Sequence, residues 1–245
     1  MEPAAWLSHL RADGAALAAT IDGRDLDAPV PSCPGWSVAD LVGHVGTVHA
    51  WVSACLVSDP DQRPPRFGDL PTPPTGDAMH DWYVDVHGRM TDALAADDID
   101  RPVPTWAGRQ TVRWWLRRQA HETAVHRWDA QRALTAPVPL SADLGIDGVD
   151  EFLELVVPRF GAAAGGDGQT IHLHAADGGD GAGEWLLTLL PDRVDVAIGH
   201  AKGDVAVRGT ASDLLLLLWG RRTIDELEAF GDASVFTDWR TKTAL

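Results

Sequence analysis

Basic and thiol side chains are scarce in this chain of 245 residues. Lys202 and Lys242 are its two lysines, Cys33 and Cys55 its two cysteines, and 36 acidic residues against 20 basic ones give a formal net charge of −16. Such an excess repels phosphate backbones and anionic lipid surfaces, which argues against nucleic acid and membrane partners. Two cysteines without CxxC spacing are too few for a disulfide framework and fit a reducing compartment. Long apolar runs are missing as well. The longest aliphatic stretch, Leu214 to Leu218, is far short of the roughly 20 residues that span a bilayer, and the N-terminus is polar and acidic where a signal peptide needs an apolar core. A cytoplasmic location is expected. No G-x-S-x-G, Walker loop or Rossmann fingerprint stands in the strand-to-helix context it requires, which argues against serine hydrolase, nucleotide and dinucleotide chemistry.

What the chain does have is apolar content with helical periodicity. With 45% hydrophobic residues it can bury a sizeable core, as one large domain or two small ones. Its organising stretch runs from Thr111 to Leu134, TVRWWLRRQAHETAVHRWDAQRAL, and with neither Pro nor Gly it reads as one long helix. Glu122 and His126 stand four apart in it, about 40° apart around the axis and one turn along it, so a carboxylate and an imidazole point the same way. Trp115 and Ala133 share their arc, and Val112, Leu116, Ala130 and Leu134 border it, a setting that faces the interior. Alone, the pair is either an i, i+4 hydrogen bond or two ligands for one ion, and a third ligand would decide between them.

From the N-terminus, Trp6, Leu10, Leu17 and Ile21 mark a first amphipathic helix between Pro3 and Gly23. The turn Val30-Pro31-Ser32-Cys33-Pro34-Gly35-Trp36 follows, and Ser37 with Asp40 resembles a capping box that opens a second helix with apolar positions Leu41, Val42, Val45, Val48, Val52 and Leu56. His44 lies on the Leu41, Val48 and Trp51 side, facing inward, as a core histidine with a backbone or carboxylate partner or as a ligand. His49 sits about 140° round that helix, away from His44. Gly43 and Gly46 permit a neighbouring helix to approach closely. A proline-rich loop spans 59–76, a third helix 77–97, and a proline-containing loop 100–108. His80 and His87 on the third helix are two turns apart, too far for one ion, and read as structural. Four helices joined by loops predict a four-helix bundle, whose metal sites are assembled from inward side chains on facing helices. His44, Glu122 and His126 are the triad such a bundle would assemble.

Beyond Ala136 the texture changes. Ser141 can cap a helix that Pro158 ends, and residues 161–168 form a small-residue connector. Thr170 to Ala175, Glu184 to Leu190, Val194 to Ile198 and Asp204 to Arg208 then read as an antiparallel meander, covered by the apolar helix Ser212 to Trp219 and the segment Thr223 to Glu228. The expected division is a helical bundle over residues 1–160 and a small α+β domain with an antiparallel sheet over 161–245. His172 and His174 share a strand face at a spacing that can chelate a metal, with no third ligand evident nearby. Arg221 and Arg222 follow the apolar helix, where they can cap its carbonyls.

CPGWSVADLVGHV, followed about eighty residues later by RRQAHETAVHRWDA, resembles the mycothiol-dependent maleylpyruvate isomerase family. The resemblance spans nearly the whole chain. It implies a DinB-like four-helix bundle, a sterol-carrier-protein-like C-terminal domain, and a divalent metal, typically zinc, held by His44, Glu122 and His126. It also implies that Arg221 or Arg222 helps hold the thiol cofactor, mycothiol. Trp36 beside the turn reads as a packing residue, and Cys33 and Cys55, with no base evident in sequence, as packed thiols.

Three protein ligands leave a coordination position open, as catalytic zinc sites do, and a thiol bound there is deprotonated at neutral pH. The expected activity is an isomerase or thiol transferase that presents a low-molecular-weight thiol to a small electrophile, acting as a monomer or weak dimer. An N,N,O site also accepts nickel, iron or manganese. The competing expectation is a non-catalytic module that binds a small molecule or a protein, with a structural metal or none, and it predicts no thiol dependence.

Overall fold

Residues 1–179 and 182–243 are described by the computed structural model. The chain forms two compact units, Met1–Val138 and Pro139–Leu245. Among the described residues, no helix is long and apolar enough to cross a membrane.

The first unit contains four helices, α1 (Pro3–Ile21), α2 (Val38–Leu56), α3 (Ala78–Ala96) and α4 (Val112–Leu134). Ser37 starts α2 through a capping box: its Oγ accepts the Asp40 N–H at 3.2 Å, and the Asp40 carboxylate accepts the Ser37 N–H at 2.9 Å. Leu17 and Ile21 of α1, Leu41 and Val45 of α2, Met79 and Tyr83 of α3 and Ala130 of α4 join one apolar core. Two glycines set the helix spacing. A Cβ on Gly46 would stand 2.4 Å from the Trp82 ring of α3, and one on Gly14 would stand 2.1 Å from the His87 ring, so α3 seats a large side chain on each neighbour.

The segment 100–108 is not the simple loop its prolines suggest. Strands β1 (Pro102–Thr105) and β2 (Gly108–Thr111) form an antiparallel hairpin leading directly into α4. A two-stranded ribbon tolerates the missing N–H groups of Pro102 and Pro104. Thr105 closes its turn, donating from Oγ1 to the Gly108 carbonyl at 2.8 Å and accepting the Ala107 N–H at 3.0 Å.

The second unit opens with helix α5 (Ala142–Glu151), which the sequence assigned to the bundle. Glycines seat it instead on a helix of its own unit, α6 (Ala211–Leu218). A Cβ on Gly145 would lie 2.8 Å from the Ala211 carbonyl carbon, and one on Gly148 would lie 2.5 Å from Leu215 Cδ2. Strands β3 (Thr170–Ala175), β4 (Glu184–Leu189), β5 (Val194–Ile198), β6 (Val205–Gly209) and β7 (Glu228–Gly231) form a sheet in the order β5-β4-β3-β6-β7. The first three make the expected meander, but β6 crosses over to pair in parallel with β3, and β7 supplies a fifth strand that begins where the segment expected to be cover ends. A last helix, α7 (Ala233–Lys242), buries Phe236 and Trp239.

Candidate metal centre

The structure brings His44 of α2 together with Glu122 and His126 of α4. Glu122 Oε1 lies 3.4 Å from His44 Nε2 and 3.6 Å from His126 Nε2, and the three donor atoms are all within 4.8 Å of one another. Both separations exceed the roughly 2.9–3.0 Å of an ordinary N–H···O bond. They match the spacing of about 3.4 Å that a tetrahedral ion, bonded at ~2.1 Å, imposes on its ligands. Two imidazoles and a carboxylate are a donor set suited to a borderline divalent cation, so these residues fit the metal that the resemblance implies.

Neighbouring side chains aim the three donors. Arg118, one turn before Glu122, donates from Nη2 to Glu122 Oε2 at 3.0 Å, which leaves Oε1 to face the imidazoles. His126 Nδ1 lies 3.0 Å from Oδ2 of the fully buried Asp129, whose other oxygen accepts from Ser32 Oγ at 2.6 Å. A carboxylate at Nδ1 holds the proton there and turns the Nε2 lone pair toward Glu122. The Trp36 ring lies 5.1 Å from that of His44. A cleft of about 630 Å³ opens beside His44, lined by Trp36, Thr47, Phe67, Pro73 and Met79 among others.

The charges are matched to this arrangement. Burial works to raise the Glu122 pKa, but the facing imidazoles of His126 and His44 and the Arg118 charge prevail and hold it well below the usual carboxylate range. Burial works to lower His126, and Asp129 and Glu122 together reverse it, leaving the imidazole more basic than usual. His49 stands apart, with Nε2 3.1 Å from Thr123 Oγ1 and its pKa pushed well down by burial.

Asp129 and Arg118 escaped the sequence reading, although stepping three residues on from His126 and four back from Glu122 finds them. Ser32, 97 residues from Asp129, carried no such signal. Cys33, expected to lack a base, donates from Sγ to Asp129 Oδ2 at 3.6 Å, whereas Cys55 is buried and its pKa is pushed up to about 12. His80 pairs with Asp81, and His87 lies between α1 and α3 with its ring stacked on Tyr83. In the second unit Arg221 donates from Nη1 to the Trp219 carbonyl at 2.9 Å, the capping role open to it from sequence. Arg222 pairs with Asp213 at 2.7 Å and Glu226 at 3.0 Å, and lines a cavity of about 470 Å³ with Leu217, Ile224, Phe236 and Arg240.

A sequence model of the mycothiol maleylpyruvate isomerase N-terminal domain matches residues 7–131, and one of the MDMPI C-terminal domain matches residues 143–237. Among solved structures, the chain is similar to the crystal structure of the mycothiol-dependent maleylpyruvate isomerase, with a TM-score of 0.65 at 13% identity over 94% of this chain and 93% of that one. A histidine-to-alanine mutant of that isomerase gives a TM-score of 0.63 at 14% identity, with the same coverage. At such identities the likeness establishes a shared fold. No curated protein sequence matches the chain.

Proposed function

The chain belongs to the mycothiol maleylpyruvate isomerase family, and from that premise we propose that it is an enzyme activating a low-molecular-weight thiol, mycothiol, toward a small electrophile. His44, Glu122 and His126 would hold a divalent cation, with zinc the first candidate for this donor set. When bound, such an ion lowers the pKa of a coordinated thiol, about 8.5 when free, supplying a nucleophile at neutral pH for a maleylpyruvate-type cis-diacid or for an electrophile that retains the thiol.

The chain's own residues prepare that position. Asp129 keeps the His126 proton on Nδ1, and Arg118 occupies the second oxygen of Glu122, so one carboxylate oxygen and two imidazole nitrogens would be left to hold an ion. Arg118 also offsets the Glu122 charge, so a loaded site would carry net positive charge, which suits an anionic thiolate or diacid. The cleft beside His44 has the volume of a small-molecule site. The arginine that the resemblance implies for the thiol is Arg221 or Arg222; Arg222 borders a cavity within the second unit, where it pairs with Asp213 and Glu226.

The observation that carries this reading is the convergence of two imidazole nitrogens, from two helices, on one carboxylate oxygen at 3.4 and 3.6 Å. Elemental analysis of wild type and His126→Ala tests it: the variant should hold one equivalent of metal fewer. Adding a thiol to the cobalt-substituted protein should then produce a sulfur-to-metal charge-transfer band. An unchanged spectrum at saturating thiol would refute sulfur coordination.

A further inference from the structure

The second unit carries its own cluster of metal-binding side chains. His172 and His174 alternate onto one face of β3, while Ile171, Leu173 and Ala175 fill the core on the other. The antiparallel register sets Glu184 of β4 directly opposite His174 and diagonal to His172, so the carboxylate shares the histidine face. The fourth member comes from the connection that carries the chain from β5 across to β6. Its first residue, Gly199, has φ 121 and donates its N–H to the Glu184 carbonyl at 2.9 Å, and the next, His200, comes back over the Glu184 side chain. Further along, Gly203 passes so close to β3 that a Cβ there would stand 2.9 Å from the His172 backbone nitrogen. This crossover leaves His172 only 3% exposed on a face that would otherwise be open.

One carboxylate oxygen gathers the cluster. Glu184 Oε2 lies 3.0 Å from His172 Nε2 and 2.7 Å from His200 Nδ1, and the three donor atoms are within 4.8 Å of one another. The His172 and His200 rings stand edge-on at 5.3 Å, and the His174 ring is 6.0 and 6.5 Å from them. We propose that His172, Glu184 and His200 form a second divalent-cation site, independent of the one in the bundle, that ties the crossover to the sheet. Two imidazoles and a carboxylate select a borderline cation of the zinc, nickel or copper class over calcium or magnesium. Seating one requires the donors to spread from the observed 2.7 and 3.0 Å toward about 3.4 Å. His200, whose side chain is 78% exposed, can yield that distance, and its exposure gives the ion an entry path. Such an ion would cross-link β3, β4 and the 199–204 connection, whose position is otherwise fixed mainly at its two ends.

The test is a zinc titration of the chelator-stripped full chain against a chromophoric competitor, in wild type, His200→Ala, His126→Ala and the double variant. Two equivalents are expected for wild type, one for each single variant and none for the double. Zinc should also raise the melting temperature of His126→Ala but not of the double variant. The exposed position of His200 makes its variant a safe one for folding, and His44→Ala replaces His126→Ala if the latter misfolds. The proposal is overturned if His200→Ala binds as much zinc as wild type, or if the equivalent it removes has a Kd of about 1 mM or weaker, the strength of incidental surface binding. A single wild-type equivalent lost in His200→Ala and kept in His126→Ala would sustain this site while removing the one in the bundle.

Discussion

Asp129→Asn tests whether the side chain behind His126 governs the proposed metal site. The carboxylate is fully buried and accepts from Ser32 Oγ at 2.6 Å and Cys33 Sγ at 3.6 Å while facing His126 Nδ1 at 3.0 Å. An asparagine of the same shape must choose. With its oxygen toward Ser32, its amide N–H₂ meets His126 Nδ1, and the imidazole proton moves to Nε2, the atom that must bind the ion. With its oxygen toward His126, the amide donates to Ser32 Oγ, which turns from donor to acceptor, and a neutral oxygen replaces the carboxylate behind Nδ1. Loss of such a supporting carboxylate weakens metal binding about 10- to 100-fold, or ~1.4–2.7 kcal/mol. A second effect has the opposite sign. Asp129 helps make His126 more basic than usual, so removing it reduces competition from protons wherever wild-type His126 is protonated. The affinity loss should therefore be largest in mildly alkaline buffer and shrink as the pH falls through the raised His126 pKa. Zinc competition titrations in a His200→Ala background isolate the bundle site, with near-UV circular dichroism as the check on folding. A folded variant that binds zinc within about twofold of its parent in alkaline buffer, against the tenfold minimum expected, would refute the positioning role of Asp129.

Two further predictions concern the bundle that holds the site. Gly14→Ala places a Cβ 2.1 Å from the His87 ring and should cost about 1–3 kcal/mol by overpacking, read as a lower urea midpoint at unchanged slope; an unchanged midpoint would show that α1 and α3 are not closely seated there. Burial, with a smaller contribution from the Arg11 charge, lowers the His87 pKa to about 4. Between that value and the roughly 6.5 of an unfolded imidazole, the unfolded chain binds a proton that the folded one refuses, so stability is lost as the pH falls through this window, by up to ~3 kcal/mol, and is unaffected above it. In urea titrations across that range wild type should lose stability relative to His87→Phe as the pH falls, and an identical acid slope in both would refute the assignment.

How much of this was legible in the sequence follows from how far each signal reaches along the chain. Glu122 and His126 could be paired because four residues on an uninterrupted helix fix a direction, and His44 because Leu41 and Val48 define an inward face on α2. Their convergence on one oxygen depends on helix crossings, and of the residues controlling those crossings only Gly46 stood out; Gly14 gave no sign of seating His87. The seating of α5 has the same origin. Gly145 and Gly148 lower the helix propensity of α5, yet they let it dock on α6 some sixty residues later, a contact no local pattern encodes.

The His172 cluster marks the limit of reading along a strand. Alternation paired His172 with His174, but Glu184 reaches them through hairpin register and His200 through a crossover that the expected meander did not contain. In a plain meander β6 would lie beside β5, and the 199–204 connection would have no reason to cross His172. The parallel β3–β6 pair is what sends it there, so the same topological step that defeated the sequence reading also brings the third donor into place.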